Sequence, residues 1–319
     1  MHALGIMKTH AQLNHPWLLA VWPGMGSVAV SAGYYLISKL GMHLLKEYPP
    51  QKFFELSHVE VKNGLIQTAR LPRSRLFLWR DPQELHDLII FMGEAQPASH
   101  GNAFCSHLIQ DAQRLGVHDV FTFAAMASRM RPEEPSRIFG AAINRECLST
   151  FKAANIELME EGKISGLNGV LLEIAAESGM HGGCLLGEMP YAFPQLPFPK
   201  ASLAVLQTFT AMAGITIDFS ELRAQADKFD DELGKLLYHL EDAIEHRGEA
   251  MSAEQTAQAE SEPESEELTL DRADQQLIEE LFESARIDRS RAYELKQELD
   301  RLHVFHEYED RFLDLFRTS

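Results

Sequence analysis

The sequence predicts an α/β fold: a mostly parallel central sheet covered by helices, with a helical appendage at the C-terminus. Three observations predict it. Residues 17–45 hold one charged side chain, Lys39, and are broken early by Pro23, Gly24 and Gly26, which reads as a buried strand, a glycine turn and a helix. Apolar runs of strand length then alternate with helical periodicities to about residue 246. After a change of composition at residue 248, amphipathic stretches return.

Taken in order, residues 1–16 form a loose lead-in and 18–22 an unbroken apolar strand. Ser27 is placed to cap the helix that follows. From Val28 to Leu40 the apolar residues lie almost all round the helical wheel, so this helix needs cover beyond the sheet beneath it, from another layer or another subunit. Residues 53–58 and 65–70 read as strands separated by a turn at Asn63 and Gly64. Further strands are expected at 75–79, 87–92 and 120–124, with a helix at 99–116 ended by Gly116. Residues 126–137 form a loop. Helices follow at 141–154, 165–178 and 201–213, and strands at 156–159 and 182–188. A long acidic helix over 218–246 presents Leu222, Phe229, Leu233, Leu236, Leu237 and Leu240 to the body.

These readings divide the chain into an α/β domain over 1–247, an acidic flexible linker over 248–267 and a helical segment over 268–319. The linker has seven Glu, no Lys or Arg and no aromatic residue, too little apolar area to offset about 1–2 kcal/mol of backbone entropy per residue. Helices at 272–285 and 290–317 should fold back on their own body or dock on a neighbouring subunit.

The net charge of −18 is uneven: residues 248–319 carry 20 Asp and Glu against 8 Lys and Arg, which places two thirds of the excess there. Such acidity argues against nucleic acid as a partner. Cys105, Cys147 and Cys184 form neither a disulfide framework nor a metal-binding pair, which fits reduced thiols in the cytoplasm. No apolar run is long enough for a membrane span and no signal sequence is recognisable at the N-terminus.

Candidate ligand-binding residues fall in three places. The turn with Gly24, Gly26 and Ser27 can gather N–H groups at a helix N-terminus for phosphate or carboxylate. It lacks a third glycine or a P-loop Lys, so close packing is the stronger reading. Glu94 follows the strand LIIF at a carboxyl end, where open sheets bind ligands, with His100 and His107 as conceivable acid–base partners or Glu94 as a helix cap. Arg129, Arg131 and Arg137 form a basic cluster that can receive an anionic ligand, a Glu-rich partner segment or internal carboxylates. His181 and Cys184 lack the further ligands of a metal site. No metal, cofactor or catalytic motif is expected.

Several segments together resemble the PAC2 family of proteasome-assembly-chaperone-like proteins. They are PGMGSVA after the first strand, LIIFMGEAQP with RLGVHDVFTFAAM, RPEEPSRIFGAA, SGLNGVLLEIAAESGM, and LGEMPYAFPQLPFPKASLAVLQTFTAMAGITID. The likeness runs over about residues 15–245. It implies an α/β sandwich similar to the phosphorylase-like fold, assembly into homo-oligomers and, as in better-known relatives, binding to proteasome subunits. The ending Phe316-Arg317-Thr318-Ser319 departs from the hydrophobic–tyrosine–any-residue ending of archaeal relatives that dock on proteasomes, which argues against docking through the C-terminus. The expectation is therefore a cytoplasmic, homo-oligomeric protein that binds protein clients as an assembly chaperone. The alternative is a small-molecule enzyme or sensor with an anionic ligand at the first strand-to-helix loop.

Overall fold

The computed structural model describes residues 12–56, 59–62, 64–67, 70–250 and 270–317. Among the described residues the main sheet has eight strands. In chain order its elements are β1 (Trp17–Val21), α1 (Val28–Lys39), β2 (His43–Tyr48), β5 (Ser74–Trp79), β6 (Leu88–Gly93), α2 (Gly101–Arg114), β7 (Asp119–Ser128), β8 (Ile138–Ala142), α3 (Arg145–Ala153), β9 (Glu157–Leu158), α4 (Leu167–Glu177), β10 (His181–Pro190), α5 (Pro199–Ala213) and α6 (Ser220–Ala250). A separate hairpin of β3 (Glu60–Lys62) and β4 (Leu65–Gln67) lies between β2 and β5. The spatial order is β2-β5-β6-β1-β7-β10-β8-β9. The centre β6-β1-β7-β10 is parallel, whereas β5 runs antiparallel to β6, β2 to β5, and β8 to β10.

Alternation along each strand sorts the two cores. Leu18, Ala20, Trp22, Ile89, Phe91 and Cys184 pack with α2 and α4, while Leu19, Val21, Ile90, Met92, Phe121 and Phe123 pack with α1 and α5. Central strands buried on both faces explain why β1 and β6 read as continuous apolar runs.

The remaining chain forms α7 (Arg272–Ile287), α8 (Ala292–Arg301) and α9 (Phe305–Asp314), which lie over α1 and the β2–β5 side of the sheet. Tyr34 of α1 meets Phe305 and Phe312 edge to face, and Tyr35 meets Tyr293 with ring centroids 4.5 Å apart. Phe316 reaches Phe77 of β5, and its carbonyl accepts the Leu44 N–H of β2 at 2.7 Å. The apolar circumference of α1 is therefore covered by the sheet, by α5 and by the chain's own C-terminal helices.

Several local expectations are corrected. Residues 53–56 are not a strand: a 3-10 turn at Pro50–Lys52 leads Phe53 into a buried contact with Phe104, and the hairpin strand begins at Glu60. Strands β2 and β8 stand where none was expected, and the latter shortens the helix expected over 141–154 to Arg145–Ala153. Residues 290–317 are not one helix, because His303, in the left-handed region at φ 58, turns α8 into α9. The Asn14 N–H donates to the Asp87 carboxylate and the Asn14 carbonyl accepts the Asp87 N–H, both at 2.9 Å, so the end of the lead-in is pinned. Residues 1–11, Asn63 and, apart from residues 248–250 at the end of α6, the acidic segment lie outside the described residues. So do the side chains of Leu236 and Leu240, whereas Leu222 and Leu233 are buried as the helix face predicted.

Candidate functional site

The loops after β1, β6, β7 and β10 meet at the carboxyl ends of the parallel strands, the rim at which open sheets place ligands. At the first loop, Gly26 adopts φ 61 and a Cβ there would stand 2.6 Å from Met189 Sδ, so close packing accounts for this glycine. Gly24 has open space around it. The Gly26 N–H donates to the Pro194 carbonyl at 2.9 Å, and the Ser27 N–H to the Gly24 carbonyl at 3.0 Å. Two of the donors expected to face an anion are thus engaged within the chain. Ser27 adopts φ 50 and makes no side-chain cap.

Glu94, directly beyond β6, is the centre of an ionic cluster. Its carboxylate accepts from Arg70 Nη2 at 2.8 Å, from Arg75 Nη1 at 2.9 Å and from the Arg73 N–H at 2.8 Å. Arg75 is 1% exposed, one of the largest fully buried side chains in the structure. Strand alternation explains its position: Arg75 and Phe77 share the β5 face turned to the C-terminal helices. Its other amino group donates to Asp310 of α9 at 2.5 Å, and Arg70 and Arg73 also reach Asp310, at 2.7 and 3.1 Å. Next to Asp310, Glu309 accepts from the Tyr34 hydroxyl. Burial works against the charge on Arg75, but Glu94, Asp310 and Glu47 offset it and raise its pKa. Burial, with Glu309 nearby, raises the pKa of Glu94 despite its arginines. A buried charge needs partners: Glu94 and Asp310 of α9 take the two amino groups of Arg75, while its Nε makes no hydrogen bond and lies 3.9 Å from Glu47.

The remaining candidates lie elsewhere. Arg137 makes a two-pronged contact with Glu188 of β10, at 2.8 and 2.7 Å, and a longer one with Glu157. Arg129 and Arg131 are exposed. His100 approaches Glu55, and His107 lies between Lys52 and Asp111, so neither joins Glu94. Burial pushes the Cys184 thiol up to about 12, and among the described residues no group of three or more His, Cys, Asp or Glu is arranged to hold a metal ion. An open cleft of about 560 Å³ beside α4, lined by Glu160, Glu161 and Glu173 among others, includes none of the candidates.

The Arg137 guanidinium holds the Glu188 carboxyl below the usual carboxylate range. Its contribution to stability is present above the unfolded value of about 4.5 and is lost as pH falls through the lower folded value. Glu188→Gln should therefore be less stable than the wild type at neutral pH, with the difference in Tm narrowing below pH 4.5; thermal melts across pH check this.

A model of the PAC2 family matches residues 18–237. The chain belongs to the PAC2 family. An uncharacterised protein of Methanocaldococcus jannaschii is 26% identical over 239 residues, which cover 72% of this chain and 86% of the relative. The solved structure of Pyrococcus furiosus PbaB, an archaeal proteasome activator, superposes with a TM-score of 0.60 at 24% identity, over 72% of this chain and 96% of that one. PbaA of the same organism, an archaeal homologue of proteasome-assembly chaperone, gives 0.54 at 19%, over 73% and 96%. These superpositions establish the fold. Arg70, Arg73, Arg75 and Glu94 lie inside the PAC2 region, whereas Glu309 and Asp310 lie outside it. The ionic cluster therefore joins the PAC2 domain to its C-terminal helices. Glu94 was legible as a residue at a strand end. Arg75 carried only the signal of an isolated charge opening an apolar strand, and nothing local named Asp310 as its partner.

No helix among the described residues is long and apolar enough to cross a membrane.

Proposed function

We propose that this PAC2 protein acts in the cytoplasm as a homo-oligomeric, assembly-chaperone-like protein that binds protein clients. The observation that carries the reading is the family match over residues 18–237, taken with solved relatives described as an archaeal proteasome activator and a homologue of proteasome-assembly chaperone. Two features support it. The charged groups at the rim, Glu94 with Arg70 and Arg75 and Glu188 with Arg137, pair with one another. Large apolar side chains of the β3–β4 hairpin, by contrast, are open to solvent, as a protein-binding surface requires. The three cysteines are buried and unpaired, which fits a reducing compartment.

Size-exclusion chromatography with light scattering tests both halves of the reading. The full-length chain should be oligomeric at micromolar concentration and, purified from its native cells, should retain a client chain in fixed stoichiometry. A monomer without a bound protein would overturn the proposal.

A further inference from the structure

The β3–β4 hairpin forms a two-stranded sheet of its own. Val61, Leu65 and Ile66 are 68%, 68% and 75% exposed, and Leu56 and Val59 just before it are exposed as well. A lone hairpin is marginally stable in water, and a strand with an unpaired backbone edge is a template for another strand. Arg70, three residues beyond β4, is held by Glu94 and Asp310.

The backbone register says what fits its edge. Lys62 pairs with Leu65, Val61 with Ile66, and Glu60 with Gln67. Lys62 and Leu65 flank a two-residue turn in which Gly64 has φ 74. In such a hairpin the flanking pair exchanges both hydrogen bonds and the bonding direction alternates along the strand. Positions 60 and 62 therefore bond to β4, while Val61 turns its N–H and C=O away from it.

We propose that β3 pairs antiparallel with β3 of a second copy across a two-fold axis at Val61, joining two hairpins into one four-stranded sheet. Each Val61 N–H then donates to the Val61 carbonyl of the other copy. Position 60 of one copy stands opposite position 62 of the other, on both sides of the axis, so Glu faces Lys twice. In-register parallel pairing would set Glu beside Glu and Lys beside Lys. Pairing of β4 with β4 about Ile66 would set Leu65 against Gln67, with no charge match. Pairing of β3 with β4 would leave free edges and propagate without closure. The edge is thus complementary to itself in one closed register. Val61 and Ile66 are also cross-strand neighbours, so the joined sheet carries a row of four β-branched residues across one face. The proposal rests on the homo-oligomer reading above and names the seam.

Sedimentation velocity on the full-length chain tests it. The wild type should sediment as a dimer or a multiple of dimers, and Val61→Pro should halve the particle. Proline removes only the outward N–H at this position and is tolerated on an edge strand. Glu60→Lys and Lys62→Glu each oppose like charges twice and should weaken the dimer about tenfold or more. The first variant carries Lys at both positions and the second Glu at both, so mixing them should restore association as a heterodimer. Oligomers that persist in Val61→Pro and in each charge variant alone would overturn the hairpin seam while leaving the homo-oligomer reading intact. A monomeric wild type would overturn both.

Discussion

Ending the chain after Ala250 should lower the melting temperature by about 10 °C or more, or leave the protein insoluble. The C-terminal helices bury Ile278, Phe282, Leu295, Leu299, Phe312 and Phe316 completely, each worth about 1.5–3 kcal/mol on removal from water. Their loss also uncovers Tyr34, Tyr35 and Phe77, buried residues of the PAC2 domain that touch them. A fluorescent dye that binds apolar surface should brighten on the shortened chain. Where that chain cannot be purified, Phe312→Ala in the full chain is the milder probe, with an expected cost of about 3–5 kcal/mol by chemical denaturation. A melting curve unchanged by truncation would mean that the helices do not stabilise the body.

Arg75→Leu should destabilise the folded chain by about 3–5 kcal/mol, because it leaves Glu94 buried with less compensation. The double variant Arg75→Leu/Glu94→Gln should recover much of that loss, since the uncompensated charge goes with its partner, while Asp310 keeps Arg70 and Arg73. The pH dependence follows from the direction of the Glu94 shift. Its folded pKa stands above the unfolded value of about 4.5, so the ionised carboxylate costs stability in full above the folded value, and the cost is relieved as pH falls from there toward 4.5. Loss of Arg75 raises the folded value further. The deficit of the single variant should therefore shrink on acidification, and that of the double variant should not. Denaturant titrations at several pH values measure both.

What the sequence could express follows from where each signal lies. β1 and α1 were legible because a strand buried on both faces and a helix buried all round contain almost no charge. The cover over that helix was predicted, but its source was not, because a fold-back contact between residues 34 and 309 leaves no local periodicity. β2 was missed because HLLKEY is only half-buried and mixes charged with apolar residues without a regular alternation, although Gly41 at φ 56 marks the end of the helix before it. β8, IFGAA, holds small residues where branched ones usually mark a strand, and the residues after it do favour helix. At the rim, Glu94 stood out by its place after an apolar run and Gly26 by the turn it makes. The partners that hold Glu94 come from residues 70, 73 and 75, and the Asp310 that shares its arginines comes from the far end of the chain, pairings that only the assembled fold defines.

The chain's own C-terminal helices, not a second subunit, cover α1 of the PAC2 domain. Amide hydrogen exchange of residues 28–39 at decreasing protein concentration tests it most directly. Cover by the same chain predicts protection that is unchanged from micromolar to nanomolar protein, even as any oligomer dissociates. Protection that fades on dilution would contradict this and assign the cover to a neighbouring subunit.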